Sequence, residues 1–75
     1  MDEDVIDDIA AAFANQLNGL IHYGGAELRH YETAIWDDIL AIACVINMHV
    51  PTYDLRYFYA KCGYPEPYPV HEVQI

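Results

Sequence analysis

The sequence predicts an all-α fold, and three observations support this. Apolar residues recur at steps of three and four along two long segments, which is the spacing of helices with one buried stripe. A third, shorter segment lies between Val50-Pro51 and Gly63, which are both typical helix boundaries. The chain has 75 residues, enough for one hydrophobic core, so we expect a single domain over residues 1–75.

The first predicted helix covers residues 3–18, or residues 3–23 if it continues through Gly19. Its apolar stripe has helical spacing and consists of Ile6, Ile9, Phe13 and Leu17. Three carboxylates at its start can cap free N–H groups and favour the positive end of the helix dipole: Asp2, Glu3 and Asp4. Gly19 can end the helix in a left-handed conformation, whereas Leu20 would extend the stripe. Gly24-Gly25 is a firmer break.

The second predicted helix covers residues 26–48 and ends before Val50-Pro51, because a residue before proline avoids the helical region. Its long apolar seam comprises Leu28, Tyr31, Ile35, Ile39, Ile42 and Ile46. Its later half is apolar nearly all round, with Trp36, Leu40, Ala43, Cys44 and Val45. We therefore expect a central helix packed on more than one side. In an alternative interpretation, Thr33 caps a new helix and the fold has four helices.

The third predicted helix covers residues 53–62, with Thr52 as its N-cap and Gly63 as its stop. The following residues 64–75 are rich in proline and tyrosine. The first part of this segment cannot be helical, because three prolines alternate with other residues there. The last six residues fit a short strand or an extended arm. Together these elements predict a small three-helix bundle, with four helices as the alternative, and an extended C-terminal arm over 64–75.

The charge of the chain excludes several classes of protein. The formal net charge is −9, yet 55% of the residues are hydrophobic and 13% are aromatic, which excludes a disordered acidic tail. Direct nucleic-acid binding is disfavoured because phosphates repel such a surface. The N-terminus does not read as a secretory signal, and the longest apolar run, Ile39 to Ile46, is shorter than the roughly 20 residues of a membrane span. We expect a cytoplasmic protein, in a host cell, without membrane contact.

No residue pattern predicts catalysis, a metal or a cofactor. The four histidines lack the spacing of metal-binding pairs: His22, His30, His49 and His71. The pairs Asp7-Asp8 and Asp37-Asp38 point about 100° apart on a helix and do not chelate by themselves. Cys44 and Cys62 are expected to be small buried side chains. A chain this short has little room for a ligand pocket of roughly 300–1,000 Å³, so we expect no enzyme.

The acidic residues are concentrated in the first half of the chain. Residues 1–38 hold nine acids and one base, whereas residues 39–75 hold three acids and two bases. Carboxylates three or four apart on a helix lie about 5–6 Å from each other and present a phosphate-like charge pattern. The candidate partner-binding residues are Asp4, Asp7, Asp8, Glu27, Glu32, Asp37 and Asp38. An acidic surface that only maintains solubility is the alternative.

Tyrosines supply a second set of candidates. Five of the seven lie within residues 53–68. Tyrosine is enriched at the energetic centres of protein interfaces, so Tyr53 and Tyr57 are secondary partner-binding candidates. Tyrosines that only cover a small core are the alternative explanation.

As a set, these acids on a compact, apolar, helical chain resemble the small acidic inhibitors of phages and mobile elements. That class includes anti-CRISPR proteins and other nucleic-acid mimics. The resemblance is one of size, charge and helical compactness and involves no motif, so it assigns no residue a role. It implies a non-enzymatic inhibitor of a basic, nucleic-acid-binding host protein in bacterial defence. The alternative is a structural or regulatory interaction module, with a homodimer as one form, that binds through apolar and tyrosine surface.

Overall fold

The computed structural model describes residues 1–69, which form three α-helices and a short 3₁₀ helix. The helices are α1 (Glu3–Asn18), α2 (Gly25–His49) and α3 (Leu55–Cys62), with the 3₁₀ helix (Gly19–His22) between α1 and α2. No strand occurs in residues 1–69, so the all-α class is confirmed for them. Residues 64–69 are neither helix nor strand, and the predictions for residues 70–75 lie outside the described residues.

The three helices share one core. Its largest fully buried side chain is Phe58 of α3, whose ring meets Phe13 of α1 edge to face with 6.4 Å between the ring centroids. The core is completed by Ile6, Ala10, Ile39, Ala43, Ile46, Tyr59 and Cys62. α3 packs more extensively on α1 than on α2. The predicted stripe of α1 is thus buried or half-buried, because its helical spacing brings it to one side.

The boundary between α1 and α2 combines both predicted alternatives. α1 ends at Asn18, but Gly19 is right-handed, with φ −66°, not left-handed as expected. The chain tightens into a 3₁₀ helix instead, and this turn buries Leu20. The break at Gly24-Gly25 is confirmed: Gly25 has φ +58°, a conformation that favours glycine.

α2 is a single helix through Thr33, so the four-helix alternative is wrong. The Thr33 hydroxyl donates a hydrogen bond to the Arg29 carbonyl at 2.8 Å, within the helix. This internal partner replaces the capping role that the sequence had suggested. The helix ends at His49, before Val50-Pro51, as predicted.

α3 begins at Leu55, two residues later than predicted, and its N-cap is Asp54, not Thr52. The Asp54 carboxylate accepts a hydrogen bond from the Arg56 backbone N–H at 3.0 Å, which satisfies a free donor of the first turn. Gly63 ends the helix with φ +86°, so this stop is confirmed.

The expectation that the later half of α2 is packed on more than one side is wrong. Ile39, Ala43 and Ile46 face the core, whereas 39% of Val45 and 79% of Met48 are exposed. The prediction that Cys44 is buried is wrong, because its side chain is exposed, whereas Cys62 is buried as predicted. α1 and α3 occupy the same side of α2, so no helix in residues 1–69 covers the opposite side.

Candidate partner-binding surfaces

The acidic residues of α1 occupy two different environments. Asp4 and Asp8 are exposed, because each lies about 160° from buried Ile6 around the helix. They are four residues apart, so they lie one helical turn from each other. Asp7 lies about 100° from Ile6 and is half-buried. The structure therefore brings Asp4 and Asp8 together and turns Asp7 towards α3.

Asp7 is paired within the chain. Its Oδ1 lies 2.8 Å from the Nζ of Lys61, which joins α1 to α3. The hydrogen bond to Asp7 raises the pKa of Lys61, and the negative field of the carboxylate adds to that shift. Asp7 is thus the one α1 candidate whose charge is already balanced.

The acidic residues of α2 lie along most of the helix. Glu27, Asp37 and Asp38 are exposed, whereas Glu32 is half-buried because it falls on the side of α2 that faces the core. Glu27 and Asp38 are eleven residues apart, close to three full turns, so they share one side of the helix about 16 Å apart.

Residues 1–69 contain two ion pairs, and Asp7 is the only sequence-predicted acid in either. The second pair joins Asp54 to Arg56, with Arg56 Nη2 2.7 Å from Asp54 Oδ2. Within these residues the other six candidates have no cationic partner: Asp4, Asp8, Glu27, Glu32, Asp37 and Asp38.

A groove of about 440 Å³ lies between the C-terminal half of α2 and α3, beside the segment that connects them. It is lined by Leu40, Ala43, Cys44, Asn47, Pro51, Tyr53, Asp54, Leu55, Tyr59 and Pro69. Its volume is within the usual range of ligand sites, so the chain has more concave space than its length predicted. The helical periodicity gave no sign of this groove, because its walls come from separate segments of the chain.

The carboxylate in the groove wall is neutralised locally. The Nε of Arg56 donates to both oxygens of Asp54, at 3.0 Å and 3.1 Å, and Nη2 donates to Oδ2. These side-chain hydrogen bonds, with the backbone one from Arg56, lower the pKa of Asp54. The interior of the groove is therefore mainly apolar, with Asn47 as its uncharged polar side chain.

The two tyrosine candidates do not form one site. Tyr53 is half-buried in the groove wall, and burial and then the charge of Asp7 raise its pKa. Tyr57 is 67% exposed and does not line the groove. The structure thus places Tyr53 in the groove wall and Tyr57 outside the groove.

Other tyrosines pack on the core. Tyr59 is buried, and the rings of Tyr64 and Tyr68 lie against it, with centroids 5.4 Å and 5.9 Å away. Trp36 packs beside Tyr64, and its indole N–H has no hydrogen-bond partner within residues 1–69. These contacts hold the start of the proline-rich segment against the helices.

No group of three or more His, Cys, Asp or Glu side chains in residues 1–69 has the arrangement of a metal site. Over the same residues, no helix has both the length and the hydrophobicity of a transmembrane span. No protein-family model, curated protein or solved structure matches the chain.

Proposed function

We propose that this chain, a small three-helix bundle with a Pro/Tyr-rich C-terminal arm, is a non-enzymatic acidic inhibitor. Its target is the basic, nucleic-acid-binding surface of a host protein of the bacterial defence or CRISPR type, in the host cytoplasm. Binding occurs by nucleic-acid mimicry. The observation that supports it is the absence, within residues 1–69, of a cationic partner for six of the seven candidate acids.

Unpaired carboxylates one turn apart on a helix repel each other in the free protein, which offsets part of the favourable interaction of Asp4 with the helix dipole. Like charges one turn apart, such as Asp4 and Asp8, destabilise a helix by about 0.2–0.5 kcal/mol. Lysine or arginine side chains on a partner would remove this repulsion. The same field would steer the partner during encounter and raise the association rate by about 10–1,000-fold at low salt.

The length of α2 suits a partner that binds nucleic acid. Its 25 residues extend over about 37 Å, and the single-strand charge spacing of DNA is about 3.4 Å per phosphate. Glu27 and Asp38 therefore span about as much of the helix axis as five phosphates. A partner surface that binds five successive phosphates carries lysine or arginine side chains over the same distance as that between Glu27 and Asp38. The acids of α2 are spaced more widely than phosphates, so they would contact only some of these cations.

Affinity capture from a bacterial lysate tests the proposal. We expect the wild-type chain to retain nucleic-acid-binding proteins that duplex DNA or RNA displaces. Retention should weaken steeply with added salt, because the contacts are ionic. The variant Asp4→Lys with Asp8→Lys should retain at least about tenfold less of these proteins. Asp7 is left unchanged because its ion pair with Lys61 joins two helices.

Glu66→Lys is the control for Asp8→Lys alone, because both change the net charge by two and Glu66 is an exposed acid in the proline-rich segment, outside the proposed surface. It should retain the same proteins as the wild type. Three results would contradict the proposal. The proteins could stay bound at high salt, nucleic acid could fail to displace them, or the variant Asp4→Lys with Asp8→Lys could retain as much of them as the wild type.

The second candidate function is a structural or regulatory interaction module, with a homodimer as one form. The observation that favours it is the exposure of large apolar side chains at Val45, Met48 and Tyr57. Such binding would change little with salt. Light scattering that shows a monomer at every protein concentration would exclude the homodimer.

A further inference from the structure

The groove between α2 and α3 continues onto an exposed apolar strip of α2. Cys44 belongs to both, because it lines the groove and is exposed. Val45 and Met48 follow on the same outward side of α2, and both are exposed. The concave and convex parts together present one apolar surface on a chain that is otherwise strongly acidic.

An unpaired negative charge lies near this surface. Asp37 precedes Cys44 by seven residues, which is close to two turns, so the two residues lie on nearly the same side of α2 about 10 Å apart. Asp37 is exposed and has no ion pair within residues 1–69. The carboxylate inside the groove, Asp54, is held by Arg56. The free charge is therefore displaced along α2 from the apolar groove.

We propose that the groove is a docking site for a basic segment of a partner protein. This segment inserts an apolar side chain into the groove beside Cys44 and places a lysine or arginine about 10 Å away, against Asp37. The spacing corresponds to seven residues of a helix or about three residues of an extended chain. This site does not depend on Asp4 and Asp8, and it requires no nucleic-acid-binding partner.

The negative charge of the chain favours a basic partner segment over a second copy of the chain as the occupant of the groove. Two copies would bring together surfaces that each belong to a molecule of net charge −9. A two-fold contact centred on Cys44 would also set Asp37 of each copy near the apolar strip of the other, which disfavours the charged carboxylate. A basic segment removes both penalties, because its cation pairs with Asp37 and its apolar side chain fills the groove.

The probe is an amidated helical peptide of about 15 residues, built from leucine, alanine and lysine. Its leucines form one face, and a lysine lies seven residues from the central leucine. Cys44 reports occupancy: we expect saturable slowing of its alkylation by iodoacetamide, by at least about tenfold, when the peptide binds. Peptides with serine for leucine, or glutamate for lysine, should protect Cys44 at least about tenfold less well.

Two matched variants locate the site. Asn47→Trp fills the groove from an exposed position in its wall, and Asn15→Trp makes the same change at an exposed position of α1. We expect Asn47→Trp to weaken binding of a fluorescent form of the peptide by at least about tenfold, with Asn15→Trp close to wild type. Asp37→Asn should weaken it by about two- to fivefold, and circular dichroism checks that each variant is folded.

Several outcomes would overturn the proposal. Equal peptide affinity for Asn47→Trp and Asn15→Trp would place binding elsewhere. Protection of Cys44 that rises with protein concentration, without peptide, would identify a second copy as the occupant. Faster alkylation of Cys44 after deletion of residues 70–75 would show that the chain covers its own groove. None of these results bears on the lysate capture that depends on Asp4 and Asp8.

Discussion

Alkylation at about pH 8 should distinguish the two cysteines, because folding removes one from water and leaves the other exposed. The thiolate is the reactive form, and an ordinary thiol with a pKa near 8.5 is about one quarter ionised at this pH. Burial raises the pKa of Cys62 to about 12, so roughly one molecule in 10,000 carries the thiolate there. The lower thiolate fraction alone should therefore make native Cys62 react about 2,000-fold more slowly than an ordinary thiol.

Global unfolding sets a limit on this protection. A chain of 75 residues has a free energy of unfolding of about 4–11 kcal/mol, so at most about one molecule in a thousand is unfolded. Reaction through that state competes with reaction of the native thiol when stability is at the low end. We therefore expect folding to slow the alkylation of Cys62 by about a thousandfold or more.

The measurement compares native protein with protein in concentrated urea. Iodoacetamide reactions are stopped at intervals, and mass spectrometry of the peptides gives a rate for each cysteine. Cys44 should react readily in both conditions, which makes it the internal control. If native Cys62 reacts within about tenfold of its rate in urea while circular dichroism shows folded protein, burial does not protect this thiol.

Three further predictions concern the fold. Phe58→Ala should lower the free energy of unfolding, measured in urea, by about 3–5 kcal/mol, because Phe58 is fully buried. Gly63→Ala, at φ +86°, should cost about 1–2 kcal/mol, whereas Gly19→Ala, at φ −66°, should add about 0.4–1 kcal/mol. Side-chain and backbone hydrogen bonds from Arg56 lower the pKa of Asp54, so its stabilisation is complete above the ordinary value near 3.9 and is lost as the pH falls below it. Acid titration of the Tm should therefore show a smaller loss in Asp54→Asn than in the wild type.

Matched variants give each of these predictions a way to fail. Exposed Tyr57→Ala should change stability by no more than about 0.5 kcal/mol, so an equal effect at Phe58 would contradict the core assignment. Equal effects at the two glycines would contradict their opposite backbone conformations. Thr52→Ala should leave the Tm unchanged while Asp54→Ala lowers it, and the reverse order would restore Thr52 as the cap of α3.

The helical class and most of the breaks between helices could be predicted without knowledge of the tertiary contacts. Helical spacing is a local property, so the stripe of α1 and the seam of α2 could be recognised from the order of residues alone. The breaks at Gly24-Gly25, Val50-Pro51 and Gly63 also follow from local backbone chemistry, because glycine permits positive φ and proline restricts its neighbour.

Which surfaces remain exposed depends on how the helices pack against one another, and local sequence patterns do not show this. Cys44 and Val45 lie in the apolar run Ile39 to Ile46, yet they are exposed because α1 and α3 pack on one side of α2. Asp7 belonged to the acidic candidates, yet Lys61, more than fifty residues away in sequence, pairs with it. The groove likewise joins residues from α2, α3 and the segment after them. Periodicity shows which residues share a side of a helix, but relative helix placement determines what covers that side.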